Sequence, residues 1–274
     1  MYGTILGDMI GSPYEHGGAP KTKDFPLFTK YSRFTDDTVM SVAVAEALLL
    51  AKEQGVTDDE AATKDLLIDS LHKWGNRYPR AGYGGRFIQW LRFKEREPYN
   101  SWGNGSAMRV SAAGWLFDDL DSVRRIARWT AEVTHNHPEG VKGAESVASA
   151  IFMARKGYTK PEIKAYIAKV FGYDLNRSCY EIGKNYKFDV SCQGSVPEAI
   201  TAFLEGTDLE DVIRSAVSLG GDTDTIGAIA GSIAEAMYSV PEILIYKCTT
   251  RLPDDIMEVV KVMESKKVPA AQEQ

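Results

Sequence analysis

The 274-residue chain is poor in the residues that build the commonest metal and disulfide sites. Its three cysteines, Cys179, Cys192 and Cys248, are widely spaced and form no C-x-x-C pair. That excludes a disulfide framework and a cysteine zinc site. Only four histidines are present (His16, His72, His135 and His137), so metal chemistry would have to rest on oxygen ligands. Basic residues are in deficit, 32 Lys and Arg against 38 Asp and Glu for a net charge of −6, which leaves no footprint for nucleic acid. No uncharged apolar run is long enough to cross a membrane, and no basic stretch precedes an apolar one at the start. A cytoplasmic, membrane-free location is the default expectation. Linkers rich in Ser and Gly and fixed-period repeats are also missing, which predicts one domain over 1–264 and a polar, frayed tail over 265–274.

Helical periodicity runs through nearly the whole chain. Residues 36–54 are apolar on almost every side of a 3.6-residue wheel, the signature of a buried helix. Residues 58–74, 121–134, 140–156, 160–171, 208–219, 224–238 and 254–264 show helical alternation as well. Thr35, Asp121, Thr159, Ser195 and Asp208 are candidate caps, and Pro138, Pro161 and Pro253 suit first turns. Only Lys187 to Cys192 alternates like a strand. The expectation is an all-α fold, a single compact domain of roughly a dozen helices. All five tryptophans fall between Trp74 and Trp129, which reads first as a core layer. The aromatic stretch 157–191 is read the same way.

Two helix starts carry more acid than capping requires. Phe34-Thr35-Asp36-Asp37-Thr38 opens the buried helix, and Gly220-Gly221-Asp222-Thr223-Asp224-Thr225 opens a second apolar one. Capping and the helix dipole explain one acid and one hydroxyl at each. They do not explain doubled carboxylates leading into helices too apolar for the surface, where desolvated like charges cost several kcal/mol or more. A divalent cation removes that cost. Gly227 and Gly231, flanked by alanines, would let another helix approach closely. If the two acidic starts meet, four carboxylates and at least two hydroxyls converge, a donor set suited to Mg²⁺ or Mn²⁺ and large enough for two ions.

Three further stretches stand out. Gly103 to Ser106 precedes a helical segment and offers N–H groups to an anion, although glycine turns before helices are common. Thr134-His135-Asn136-His137-Pro138-Glu139-Gly140 is a histidine-bearing loop with no third zinc ligand. Gly3, Gly7 and Gly11 give one helix a smooth face, followed by a loop that carries Glu15.

Together these motifs resemble the ADP-ribosylglycohydrolase family, which includes dinitrogenase-reductase-activating glycohydrolase and the ADP-ribosyl-arginine and ADP-ribosyl-serine hydrolases. The matching stretches are G-D-M-I-G-S-P-Y-E (7–15), F-T-D-D-T (34–38), G-N-G-S-A-M-R (103–109), T-H-N-H-P-E-G (134–140) and G-G-D-T-D-T-I-G-A-I-A-G (220–231), in the family's order. The resemblance implies an all-helical domain around a dinuclear centre of two Mg²⁺, or Mn²⁺, ligated by Thr35, Asp36, Asp37, Asp222, Asp224 and Thr225. It places the diphosphate on Gly103, Asn104, Gly105 and Ser106, His135 along the ADP-ribose, and Glu15 as an acid over the metals. The implied reaction releases ADP-ribose from a modified side chain of a protein or from a small-molecule conjugate. Glu15 is the first candidate for proton transfer and Asp222 the second. Arginine is the first expectation for the linkage, because acids such as Glu139 could meet a guanidinium, and serine the second. A monomer is expected.

Other readings are weaker. Prenyl-diphosphate enzymes need a further aspartate three residues after the doubled pair, where this chain has Met40, and neither His135 nor His137 is followed by Asp as in His-Asp phosphohydrolases. The remaining alternative is a catalytically silent member of the same family that binds ADP-ribose or serves a structural role.

Overall fold

The computed structural model describes residues 1–15, 18 and 20–267. Fifteen helices and no strand occupy them. The first eight are α1 (Tyr2–Gly11), α2 (Asp36–Gln54), α3 (Glu60–Arg77), α4 (Gly85–Arg92), α5 (Gly105–Met108), α6 (Ser111–Leu116), α7 (Leu120–Glu132) and α8 (Pro138–Arg155). The rest are α9 (Lys160–Phe171), α10 (Cys179–Asn185), α11 (Cys192–Glu205), α12 (Leu209–Leu219), α13 (Thr223–Met237), α14 (Glu242–Thr249) and α15 (Asp254–Lys266). None is long and apolar enough to cross a membrane.

The predicted helix boundaries hold where cap chemistry is unambiguous. Thr35 caps α2 by accepting from the Asp37 N–H, and Gly55, at φ 70°, closes it in the left-handed conformation glycine tolerates. Thr159 and Glu162 form a reciprocal capping box on α9. Where several acids or hydroxyls lie close together, the true cap is the one that reaches an amide three residues on. Asp119, not Asp121, caps α7 through the Ser122 N–H at 2.7 Å. Ser191, not Ser195, caps α11 through the Gly194 N–H, which puts Ser195 inside the helix. Pro253 is the cap residue of α15 rather than part of its first turn. That helix runs through Ser265 and Lys266, so the predicted tail is helical at its start, while 268–274 lie outside the described residues.

The segment 187–192 forms a single bridge to the neighbouring loop, with Gly103 opposite Ser191, and no ladder. Asn104 N–H donates to Val190 O at 2.8 Å and Cys192 N–H to Trp102 O at 2.9 Å, tying the two loops together. Four tryptophans are core, but Trp102 is half exposed, edge-on to His137. The 157–191 aromatics divide likewise: Phe171 and Tyr173 are buried, whereas Tyr158 and Tyr180 are exposed.

The central contact is α1 against α13, antiparallel and almost free of side chains. A Cβ on Gly3 would lie 2.1 Å from Gly231 O, on Gly7 2.0 Å from Gly227 O, and on Gly11 2.3 Å from Thr223 O. The glycines expected to admit a close helix do so, and the helix admitted is α1. Thr223 Oγ1 donates to Gly11 O at 2.9 Å, pinning the start of α13 on the end of α1. The start of α2 meets the same point through Thr225 Oγ1, which donates to Asp37 Oδ2 at 3.3 Å.

Candidate active site

Because those helix ends coincide, their acids coincide. Asp8, Asp37 and Asp224 place carboxylate oxygens within 4.8 Å of one another, and Glu15, Asp222 and Asp224 do the same. Asp224 is common to both groups. Asp36 lies outside them but lines the same cavity, as do Thr35, Asp37 and Thr225. The structure thus brings together all six predicted ligands and both predicted proton-transfer acids.

Asp8 is the member that sequence reasoning missed. It is fully buried on α1, and its carboxylate accepts from the Thr35 and Thr38 N–H groups at 2.9 and 3.1 Å and from both threonine hydroxyls. It therefore fixes the start of α2 to α1. The available signal was that Asp8 is the sole charged residue in an otherwise apolar, glycine-spaced helix.

The acids are held at high energy. Burial raises Asp8 to about 6 despite its four hydrogen bonds. Burial and the neighbouring Asp8 raise Asp36 to about 8. Burial and the other carboxylates push Asp37 and Asp224 well above the usual range. No lysine or arginine pairs with Asp8, Asp37 or Asp224 among the described residues, and Asp37 Oδ1 is buried without a hydrogen-bond partner. Thr35 Oγ1 faces both Asp8 and Asp37, at 2.8 and 3.3 Å, and one hydroxyl hydrogen can serve only one of them. Buried, clustered oxygens with an orphaned acceptor fit a hard divalent cation.

A cavity of about 460 Å³ opens above the acids. Gly103, Asn104 and Gly105 form part of its wall; Ser106 does not, because it is buried with its Oγ donating to Gly140 O at 2.7 Å. Asn104 Nδ2 donates to Asp222 Oδ2 at 2.6 Å and to Ser195 Oγ at 3.0 Å, so the Asn104 side chain orients an acid. His135 lines the cavity, and burial, then Arg109, hold it well below its usual value and hence neutral. Thr134 Oγ1 accepts from Arg109 Nη2 at 2.8 Å and lies 2.7 Å from His135 Nδ1. That contact engages Nδ1, with its direction set by the tautomer, and leaves Nε2 as the second ring nitrogen. That Nε2 faces Gly105, where a Cβ would lie only 3.0 Å away. Arg33, Arg86, Tyr99, Phe188 and Val190 are among the other residues of the wall and were not anticipated. Glu139, expected to face a guanidinium, is not part of it and pairs with Lys142 at 3.2 Å.

The sequence profile of the ADP-ribosylglycohydrolase family matches residues 1–269. Human ADP-ribosylhydrolase ARH3 is 27% identical over an alignment of 323 positions, covering 89% of this chain and 85% of its own. An uncharacterized protein of Archaeoglobus fulgidus is 32% identical over 275 residues, covering 88% of each chain. A solved structure described as an ADP-ribosylglycohydrolase-related protein complex superposes with a TM-score of 0.69 at 23% identity, covering 97% of this chain and 95% of that one.

Proposed function

The chain belongs to the ADP-ribosylglycohydrolase family, which makes it a hydrolase of ADP-ribose linkages, and from that premise we propose that it is a metal-dependent enzyme releasing ADP-ribose from a modified side chain. The observation that carries the metal dependence is the pair of carboxylate groups sharing Asp224, one of which holds the buried, unpartnered Asp37 Oδ1. Thr35, Asp36, Asp37, Asp222, Asp224 and Thr225 would hold two divalent ions, Mg²⁺ first and Mn²⁺ as the alternative, with Asp8 beside them. Such ions supply charge neutralisation and polarisation of bound oxygens.

The protein's own groups divide the remaining work. In the Gly103–Ser106 turn the Gly105 amide is the one left to face the diphosphate, since the Gly103 N–H donates to Ser101 Oγ at 3.1 Å, the Asn104 N–H donates to Val190 O, and Ser106 lies outside the cavity wall. The neutral His135 ring lies alongside. Breaking the bond at the anomeric carbon passes through an oxocarbenium-like state, and water supplies the hydroxyl that replaces the leaving group. In this reading Glu15 takes the water's proton and that proton passes to the departing side-chain atom, which restores the carboxylate; Asp222, oriented by Asn104, is the second candidate.

The test is release of ADP-ribose from arginine-linked and serine-linked peptides in Mg²⁺ and in EDTA. Metal-dependent release from either supports the reading. ADP-ribose binding by calorimetry without release from any linkage would favour the catalytically silent alternative. Full activity in Glu15→Gln with loss in Asp222→Asn would exchange the two proton-transfer roles.

A further inference from the structure

The acidic floor of the cavity has a rim of opposite sign. Arg33 and Arg86 both line the cavity and both are exposed. Neither has an ion-pair partner among the described residues, whereas other arginines such as Arg96, Arg124 and Arg177 are matched to carboxylates. Arg80, Arg92, Arg109, Arg155 and Arg251 also have no ion pair among the described residues, so what sets Arg33 and Arg86 apart is that both are exposed and both face the acidic cavity.

Their positions place them beside the acids of the cavity floor. Arg33 stands three residues before Asp36, and its N–H is held by Ser12 Oγ at 3.2 Å, three residues before Glu15. Arg86 is the second residue of α4, on the wall that includes Gly82, Gly84 and Gly85. That wall lies directly over the metal-side acids: Asp36 N–H donates to Ala81 O at 3.0 Å, and a Cβ on Gly82 would sit 3.1 Å from Asp36 Oδ1. The Arg86 guanidinium rests 5.3 Å from the centre of the Tyr99 ring, a contact that limits its freedom without neutralising it.

We propose that this rim receives an acidic acceptor: a polypeptide segment with carboxylates next to the ADP-ribosylated residue. The inference rests on the hydrolase reading above and adds the chemistry of the substrate's other half. The nucleotide fills the cavity, so the acceptor chain lies across the mouth, where carboxylates would meet two unpaired guanidiniums. A guanidinium leaving group would enter among like charges. The rim therefore disfavours arginine linkage and favours an oxygen-linked residue in an acidic segment.

The experiment holds the linkage constant and varies the flanks. Serine-linked ADP-ribosyl peptides with glutamate, neutral or lysine neighbours are compared by kcat/KM at low and high salt. The expected order is acidic, neutral, basic, spanning about tenfold for two exposed contacts and collapsing at high salt. Arg33→Gln with Arg86→Gln should flatten the ladder, and Arg33→Glu with Arg86→Glu should invert it. A wild-type rate indifferent to flanking charge, or a ladder unchanged by the double reversal, overturns the proposal. Cleavage of no peptide at all would count against the hydrolase reading instead. The same ladder is then read by fluorescence anisotropy of the labelled peptides, where absence of the charge order overturns the rim.

Discussion

The two ends of the α1–α13 contact bury carboxylates in opposite ways. At one end Glu235 is buried against the Met1 amino group at 3.0 Å and Lys267 at 2.6 Å, and it accepts from the Tyr2 and Gly3 N–H groups. Burial alone would raise it, but the two cations overcome that and hold it at about 2. At the other end Asp8, Asp37 and Asp224 are buried too, have no cation among the described residues, and are all raised. Helices of the same pair thus carry a satisfied ionic lock and an unsatisfied one. The lesson is that burial of acid marks function only where the counter-charge is missing from the protein itself.

The comparison can be broken from either end. The largest effect belongs to Asp224, shared by both carboxylate groups. Asp224→Asn should lower ADP-ribose release by about a thousandfold or more while leaving the thermal midpoint in EDTA unchanged or raised, because it removes a buried repulsion. A drop in the metal-free midpoint matching the loss of activity would show that the acid is structural.

Glu235→Gln should do the reverse, costing about 3–5 kcal/mol in denaturant unfolding while folded molecules keep their turnover. Its sign with pH follows from linkage. Glu235 sits at about 2 against an ordinary 4.5, so the unfolded chain binds the proton more readily. The stabilisation, about 3 kcal/mol, is complete above 4.5 and is lost as pH falls towards 2. Wild type and Glu235→Gln should therefore converge in acid, and a constant gap between them down to pH 2 would contradict the pairing.

Supplying the missing counter-charge should sharpen the contrast. Mg²⁺ or Mn²⁺ at a hundredfold excess over its dissociation constant should stabilise wild type by about 2.7 kcal/mol, and Asp224→Asn far less. An equal midpoint shift in both proteins would place the ion elsewhere. The smallest effect belongs to Asp8→Asn, which keeps the shape but weakens the grip on Thr35 and Thr38. Activity should fall about 10- to 100-fold, with more metal needed for half-saturation; unaltered metal dependence would confine Asp8 to packing.

The acidic helix starts were legible because they violate a local rule: Asp36 with Asp37, and Asp222 with Asp224, exceed what capping can use. The α2 and α9 boundaries were legible because their caps and closing glycines leave no competing choice. Asp8 was hidden because a lone aspartate in a helix says nothing about which face it occupies until the glycine ladder is docked. Ser106 was misplaced for a related reason: only the fold shows that Gly140 O lies within reach of its hydroxyl. Arg33 and Arg86 stand 53 positions apart in the chain and become neighbours of one cleft only through the loop over Asp36. Caps fail in the same way at Asp121 and Ser195, where the choice between nearby acids or hydroxyls depends on where the helix turns.

The backbone contact of Gly7 with Gly227 has a consequence for how this protein can change. Glycine is the lower limit of side-chain size, so every substitution on that ladder adds volume and wedges the two helices apart. The distance from Asp8 to Asp224 is set by that seam, and mutation can move it in one direction only. The gauge of the acid cage therefore stands at its minimum, with widening the sole path open to descent.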